Sequence, residues 1–335
     1  MRRATVAPLV LFVLLAAFVA QQHGLIVRST TTNAAPYPVS PVAARALGVG
    51  ATTAALAQNS YRPWRAGDLT TVNALEQSVR RHMSIVMWYA DWQHSQLRAS
   101  QLDAVARHGS VPEITWEPWD STKPLYFPQP RYALRHIIAG DFDSYIRSWA
   151  KGLAAWGHPV LLRLAQEMNG NWYPWGRTAN GNLPGQFVQM WRHVHHIFDL
   201  AGATNVRWVW SPVMGAPRSY FPGRGQVNVL GLTCLNEGSL GRGWRSFETI
   251  CGKSIAQLHA MAPGLPIQSS ETGSTELGGS KASWISEMFG YLARHSEVQS
   301  VVWFNLRKKS VDWRVQSSRS AERAFARGSR LPRSG

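Results

Sequence analysis

The chain has 335 residues, of which 45% are apolar and 16% are charged, and it carries a formal net charge of +16. This composition supports a large buried core and excludes disordered, collagen-like and coiled-coil proteins. Half of the positive excess lies near the two ends, in residues 2–28 and 314–335. We therefore interpret the charge mainly as solvated tails and predict no nucleic-acid partner, although a basic chain rich in aromatic residues is compatible with one.

The first 28 residues have the pattern of an export signal. Two arginines precede an uninterrupted apolar run over residues 6–20, which is shorter than the roughly 20 residues that a membrane-spanning helix needs. The small residue expected three positions before a cleavage site is missing if cleavage follows Ala20. Residues 1–28 are therefore predicted to be a signal peptide or an N-terminal membrane anchor, and the protein to be secreted, periplasmic or extracellular. Residues 29–42, rich in Thr, Ala and Pro, are predicted to be an extended linker.

From residue 43 onward, short runs typical of strands alternate with helical patterns. The predicted strands are residues 46–50, 84–89, 111–116, 160–165, 206–210, 227–232, 266–270 and 301–304. The predicted helices fall within residues 69–80, 95–107, 142–156, 187–198, 254–261 and 281–294. This alternation predicts a (β/α)8 TIM barrel, since an open doubly wound sheet would carry a glycine-rich phosphate loop and the sequence has none. We predict a single catalytic domain over residues 43–325 and a basic tail over residues 326–335.

Barrel enzymes carry their catalytic groups at the carboxyl ends of the strands, where this sequence has two glutamates. Glu167 follows the fourth predicted strand among Trp and Tyr residues, and Glu271 follows the seventh. Aromatic neighbours desolvate a carboxyl group and raise its pKa toward that of a general acid. A lone Glu at a strand end is more often a cap or an ion-pair partner. Two of them favour glycoside hydrolysis, in which one protonates the leaving oxygen and the other attacks the anomeric carbon.

The sixteen Trp exceed the needs of a core of this size, and flat amphipathic rings suit a surface that stacks on sugars. Several of them stand at or just past strand ends, which predicts a substrate-binding surface there, with core packing as the alternative for each ring. The predicted members of that surface are Trp88, Trp116, Glu117, Gln166, Trp172, Trp175, Trp210 and Trp303.

Six segments together carry a family pattern. They are, in chain order, WYADW, EITWEPW, LLRLAQEMNGNWYPWG, VRWVWSP, QSSETGS and VVWFNLRKKSVDWR. These segments resemble glycoside hydrolase family 26, the β-mannanase family, in the same order, over roughly residues 45–320. The resemblance implies a retaining mechanism with Glu167 as the acid/base and Glu271 as the nucleophile. It also implies a β-1,4-mannan or, as in some members, a mixed-linkage β-glucan as the substrate.

Two positions depart from that family pattern. Gln166 stands where the relatives usually have a His before the acid/base, so the side chain can hydrogen-bond but cannot titrate. Leu235 stands where a Tyr would contact the nucleophile. Either another donor, from Asn236, Gln166 or a Trp indole, approaches Glu271 instead, or the enzyme is slow.

Arg163 is expected to reach into the barrel, because it shares strand parity with the acid/base glutamate. A buried guanidinium without a partner is costly. Its predicted partner is one of Glu113, Glu117 and Glu167.

The chain has two cysteines, Cys234 and Cys251. In an exported protein this even count favours a disulfide, and two free buried thiols are the alternative. The HExxH, CxxC and GxSxG motifs are absent from the sequence, so zincin, zinc-ribbon and serine-hydrolase functions have little support.

Taken together, the sequence predicts a monomeric, endo-acting, retaining glycoside hydrolase that needs no cofactor or metal and acts on β-1,4-mannan. A β-1,3-1,4- or β-1,4-glucanase of the same family is one alternative. A carbohydrate-binding pseudoenzyme, inactivated by the changes at Gln166 and Leu235, is another.

Overall fold

The computed structural model describes residues 46–57, 63–308 and 310–333. The predicted signal or anchor over residues 1–28 and the linker over residues 29–42 lie outside them. Within the described ranges, no helix has the length and apolar character required to cross a membrane.

Eight parallel strands close into a barrel in which each strand pairs with the next and the last pairs with the first. The strands are β1 (Gly48–Thr53), β2 (Ile85–Asp91), β3 (Val111–Glu117), β4 (Val160–Leu164), β5 (Val206–Trp210), β6 (Val229–Asn236), β7 (Ile267–Ser274) and β8 (Val298–Asn305). Each predicted strand overlaps one of them, so the predicted TIM barrel is confirmed.

The helices of the described residues surround this barrel. They are α1 (Thr70–Val79), α2 (Ala99–Arg107), α3 (Leu134–Ile138), α4 (Asp143–Trp156), α5 (Gln186–Leu200), α6 (Lys253–Met261), α7 (Lys281–Arg294) and α8 (Arg319–Gly328). The six predicted helices are present, whereas α3 and α8 were not predicted. The Arg-rich segment at the end of the chain forms α8 because Ala321, Ala324 and Phe325 share one buried face, and Phe325 packs edge-on against Phe289 of α7 and Trp303 of β8.

Side chains in the strands alternate between the barrel interior and the layer of helices, as the two-residue period of a strand requires, apart from register shifts where β7 pairs with β6 and β8. In β2, Val86, Trp88 and Ala90 belong to the large core that includes the helices. Ile85 and Met87 belong to a separate interior cluster with residues of β4, β5 and β8. This alternation decides which residues can take part in chemistry inside the barrel.

A buried polar pair lies inside the barrel. Glu113 of β3 accepts hydrogen bonds from Gln268 Nε2 of β7, at 2.8 Å to each carboxyl oxygen. Burial raises the pKa of Glu113 to about 7, while Arg163 and Gln268 oppose this rise. The carboxyl group is thus partly protonated near neutral pH.

The predicted disulfide between Cys234 and Cys251 is confirmed, with Cα atoms 6.0 Å apart. Cys234 lies in β6, and Cys251 lies in the π-helical turn Glu248–Gly252 that leads directly into α6. The bridge therefore fastens the end of β6 to the beginning of the following helix.

Candidate active site

Glu167 lies just beyond the carboxyl end of β4, in a turn with two left-handed residues. Ala165 and Glu167 have φ angles of 46° and 58°, a region that residues other than glycine rarely occupy and that is enriched at functional sites. The Glu167 amide N–H donates to the Ser211 carbonyl at 2.7 Å. Its side-chain Oε1 accepts from the Thr233 hydroxyl at 2.6 Å, and Oε2 accepts from the Trp172 indole N–H at 2.8 Å. These contacts hold the carboxyl group in one orientation.

Glu271 of β7 is paired with a buried guanidinium from the other side of the barrel. Arg163 of β4 is fully buried, and its Nη1 donates to Glu271 Oε1 at 2.5 Å. Its Nη2 donates to Ser211 Oγ at 3.0 Å and lies 3.4 Å from Thr233 Oγ1. Burial alone would lower the pKa of Arg163, but the Glu271 charge raises it above its ordinary value. Arg163 therefore remains charged and holds Glu271 by a charge-assisted hydrogen bond.

This ion pair corrects two sequence predictions. The partner of Arg163 is Glu271, which β7 brings across the barrel, and none of the three predicted glutamates. The donor to Glu271 is correspondingly Arg163, whereas the predicted donors bond elsewhere. Asn236 donates to a β7 serine hydroxyl at 3.0 Å, and Gln166 donates to Glu117 at 2.6 Å.

Thr233 and Arg163 join the two carboxyl groups in one hydrogen-bonded network. Thr233 pairs with Glu271 in the β6–β7 register, and its hydroxyl contacts both Glu167 and Arg163. Burial raises the pKa of Glu167, and the negative charge of Glu271 raises it further, while the bonds from Thr233 and Trp172 and the charge of Arg163 oppose the rise. One carboxyl group is thus biased toward the protonated form beside another that is paired with a cation.

Glu117 and Gln166 form a second buried pair at the same end of the barrel. Gln166 Nε2 donates to Glu117 Oε1 at 2.6 Å, and the Trp119 indole N–H donates to Oε2 at 3.2 Å. Burial raises the pKa of Glu117 to about 8, with further increases from the charges of Asp91 and Glu271. Gln166 is fully buried, so in this structure its amide orients Glu117 and is not open to a polysaccharide.

Comparison with known proteins agrees with this geometry. The sequence model of glycosyl hydrolase family 26 matches residues 117–265, a range that includes Glu167, Arg163 and Thr233. The chain is also 32% identical over 270 residues to endoglucanase H of Acetivibrio thermocellus. The chain is therefore similar to family 26 over these residues. In Bacillus subtilis strain 168, a mannan endo-1,4-β-mannosidase is 30% identical to it over 83 residues.

The match to the Acetivibrio protein covers 76% of this chain and 28% of that protein. The match to the Bacillus protein covers 23% of each. The chain thus spans less than a third of the length of these curated relatives. Among solved structures, a family 26 β-mannanase from Bacteroides ovatus has a TM-score of 0.64 at 16% identity, covering 86% of this chain and 89% of that one. A Bacillus subtilis mannanase has a TM-score of 0.58 at 18% identity and covers 84% of each chain. At these identities the likeness shows a shared fold.

Most of the tryptophans predicted to bind substrate are buried on the helix-facing side of the barrel, and those predictions are wrong. Trp88 is 3% exposed, and Trp116, Trp210 and Trp303 are completely buried. Three of their indole N–H groups donate to protein atoms: Trp116 to Tyr145 Oη of α4, Trp210 to a loop carbonyl, and Trp303 to the Trp313 carbonyl. All four occupy the outward phase of their strands, so a place near a strand end does not bring them to the rim.

The two tryptophans after β4 differ from each other. Trp175 is fully buried, stacks on Tyr173 with ring centroids 4.4 Å apart, and donates to the Gln166 carbonyl at 2.7 Å. It supports the loop and is not a stacking surface. Trp172 is only partly buried and bonds to Glu167, so it lies at the site as predicted.

Sequence reasoning missed Tyr89, which lies on the inward phase of β2. Its hydroxyl is buried and has no hydrogen-bond partner within the described part of the chain. Burial and the charge of Glu271 raise the pKa of Tyr89, while Arg163 opposes that rise. Leu235 and Tyr89 pack against a cluster that contains Trp313. Strand parity identifies Tyr89, since it lies two residues after the interior Met87.

Proposed function

We propose that this chain is a retaining glycoside hydrolase that cleaves internal linkages of a β-1,4-linked polysaccharide, with mannan as the main substrate. The observation that carries the proposal is the network of Glu167, Thr233, Arg163 and Glu271. It places a carboxyl group with a raised pKa beside a carboxylate paired with a buried guanidinium. These are the two charge states that a retaining mechanism requires at its start.

In the first step, Glu271 attacks the anomeric carbon and forms a covalent bond to the sugar. Glu167 gives its proton to the glycosidic oxygen, and the C–O bond to the leaving chain breaks. The Trp172 and Thr233 contacts keep the proton donor in place. The hydrogen bond from Arg163 keeps the attacking carboxylate aligned.

In the second step, water takes the place of the leaving chain. Esterification removes the negative charge of Glu271, which is one of the two causes of the raised pKa of Glu167. The pKa of Glu167 then falls, so the same group accepts a proton from water as that water attacks the anomeric carbon. The bond to Glu271 breaks, and the configuration at the anomeric carbon is retained.

The names of the relatives support two substrates. The Bacillus relative is a mannan endo-1,4-β-mannosidase, and the solved structures include β-mannanases. A β-glucan is the second candidate, because the longer of the two matches, over 270 residues, is to an endoglucanase. A carbohydrate-binding pseudoenzyme has less support. Despite the changes at Gln166 and Leu235, Glu167 and Glu271 both keep hydrogen-bond donors.

Export is part of the proposal. The Cys234–Cys251 disulfide supports an oxidising compartment, and residues 1–28 supply the predicted signal or membrane tether. We further propose a monomer whose partner is the polysaccharide, with no nucleic-acid partner and with hydrolysis that needs neither cofactor nor metal.

The test is an assay of the purified chain on mannan, glucomannan, lichenan and carboxymethylcellulose. We expect the fastest release of reducing ends from mannan, with an early fall in viscosity that indicates internal cleavage. Proton NMR of the first product should show the β-anomer before mutarotation. A first product with the α-anomer would contradict the retaining mechanism, and binding without hydrolysis of any substrate would establish the pseudoenzyme.

A further inference from the structure

A second cluster of titratable groups lies at the opposite end of the barrel from the glutamates. Glu76 is near the end of α1, His82 precedes β2, and His108 precedes β3. One ligand atom from each of the three side chains lies within 4.8 Å of the other two. His82 Nδ1 is 2.9 Å from Glu76 Oε1, and His108 Nε2 is 3.2 Å from Glu76 Oε2.

The outer contact of His82 fixes which of its nitrogens carries a proton. Its Nε2 lies 3.2 Å from the Gly109 carbonyl oxygen, which can only accept a hydrogen bond, so Nε2 bears the hydrogen. In the neutral ring, Nδ1 then has a lone pair directed at Glu76 Oε1. That oxygen already accepts from the Met83 amide at 2.6 Å.

His108 is in the same situation. The Ser110 hydroxyl donates to the Met83 carbonyl at 2.6 Å, so it must accept at 2.7 Å from His108 Nδ1. The neutral ring therefore directs the lone pair of Nε2 at Glu76 Oε2. Both imidazoles thus present a lone pair to the same carboxylate.

Two arrangements would satisfy these groups. One is a second proton on each ring, which would place two imidazolium rings with centroids 5.1 Å apart around a single carboxylate. The other is one divalent cation shared by the two lone pairs and the carboxylate. The cation satisfies all three groups at one point, because one ligand atom of each already lies within 4.8 Å of the other two.

We propose that Glu76, His82 and His108 form a zinc site. Two imidazole nitrogens and one carboxylate oxygen are ligands that Zn²⁺ commonly takes. Bonds of about 2.0–2.1 Å in a tetrahedron place neighbouring ligand atoms roughly 3.3 Å apart. His82 Nδ1 lies 2.9 Å from one Glu76 oxygen and His108 Nε2 lies 3.2 Å from the other, so each ring nitrogen is near that spacing from the carboxylate. The carbonyl and hydroxyl behind the rings are the outer partners that orient ligating histidines.

The fourth ligand position opens to solvent, because the His82 side chain is 48% exposed. Its ligand would be either water or the amide oxygen of Asn73, and that oxygen lies 3.1 Å from His108 Nε2. The ion would fasten the end of α1 to the connections that lead into β2 and β3. It is remote from the carboxyl ends of the strands, so its role is stabilising and independent of hydrolysis.

The test uses the full chain, freed of metal with a chelator and titrated with Zn²⁺ by calorimetry at about pH 7.5. We expect one saturable site and a rise in Tm of roughly 3–6 °C when free Zn²⁺ is 100-fold above Kd. H82Q and H108Q should each weaken binding by about 100-fold or more. Since His82 is half-exposed, H82Q should fold normally.

H136Q is the matched control, since His136 is also partly exposed and contacts a single carboxylate, Asp141, at 2.8 Å. It should bind Zn²⁺ like the unmodified chain. Co²⁺ in place of Zn²⁺ should give visible d–d bands that H82Q abolishes. Absence of a saturable site, or undiminished binding in the H82Q/H108Q double variant, would overturn the proposal. The calorimetric titration, the Tm measurement and the Co²⁺ spectrum use no substrate, so their results are independent of the proposed hydrolase activity.

Discussion

Replacing Thr233 with Val tests how the network sets the proton affinity of Glu167. The substitution keeps the branched shape and removes the hydroxyl that donates to Glu167 Oε1 at 2.6 Å. A hydrogen bond to a charged group contributes about 1.5–3 kcal/mol, and one pKa unit corresponds to about 1.4 kcal/mol. Because this bond favours the ionised carboxylate, its loss should raise the pKa of Glu167 by about 1–2 units.

The assay is the pH dependence of kcat/KM on a soluble mannan. The alkaline limb reports loss of the proton from the general acid, so it should move to higher pH by about 1–2 units. The second step needs the same group as a base, so it should slow in Thr233→Val, and kcat near neutral pH should fall. Burst kinetics with an activated aryl glycoside would show the accumulated glycosyl-enzyme.

Thr115→Val is the matched control. Thr115, like Thr233, lies in a barrel strand; it is fully buried, and its hydroxyl has no partner among the described residues. The control should leave the alkaline limb in place. An unchanged or acid-shifted limb in Thr233→Val would refute the assignment of Glu167 as the general acid controlled by this hydroxyl.

Three further predictions use the same site. Glu271→Ala should abolish hydrolysis of every substrate, whereas Glu167→Ala should retain activity on aryl glycosides whose leaving group needs no proton; equal losses on natural and activated substrates would contradict these roles. Leu235→Tyr should lower kcat on mannan, because Arg163 already bonds the nucleophile and Leu235 packs against the cluster that contains Trp313; a tenfold gain would show that a bond is missing. Glu113 has a folded pKa of about 7 against an ordinary 4.5, so the folded state binds the extra proton and stability should fall by about 3 kcal/mol as pH rises from 4.5 through 7. In urea unfolding, Glu113→Gln should remove most of that fall, the exposed Glu287→Gln should not, and an unchanged slope in Glu113→Gln would disprove the raised pKa.

The barrel and its two glutamates could be predicted because they depend on local pattern. Apolar runs of strand length alternate with helical stripes, and Glu167 and Glu271 stand at the ends of two such runs. The disulfide followed from the number of cysteines and the predicted export. The helix α8 was missed because its many arginines hide the short apolar face of Ala321, Ala324 and Phe325.

The remaining site residues depend on long-range geometry or on parity. That Arg163 meets Glu271 follows from the placement of β4 and β7 on opposite sides of a closed barrel, which no local pattern encodes. The sequence contains a pattern, the parity of each strand, that argues against assigning Trp88 and Trp303 to the substrate surface. Each lies one residue out of phase with the interior positions of its strand, and the same rule would have selected Tyr89. The residues Glu76, His82 and His108 come from one helix and two connections and form no motif.

Away from the register shifts of β6 and β7, the alternation within the strands has a consequence for how such an enzyme can diverge. Neighbouring residues of one strand serve separate purposes, since one phase anchors the helices and the other carries the chemistry. A single-residue insertion or deletion in a strand would exchange the two sets and destroy both. New specificities are therefore expected to arise through length changes in the loops that follow the strands, where Trp172 lies, while the strands themselves accept substitutions but not changes in length. Laboratory evolution of this chain should accordingly concentrate its libraries on those loops.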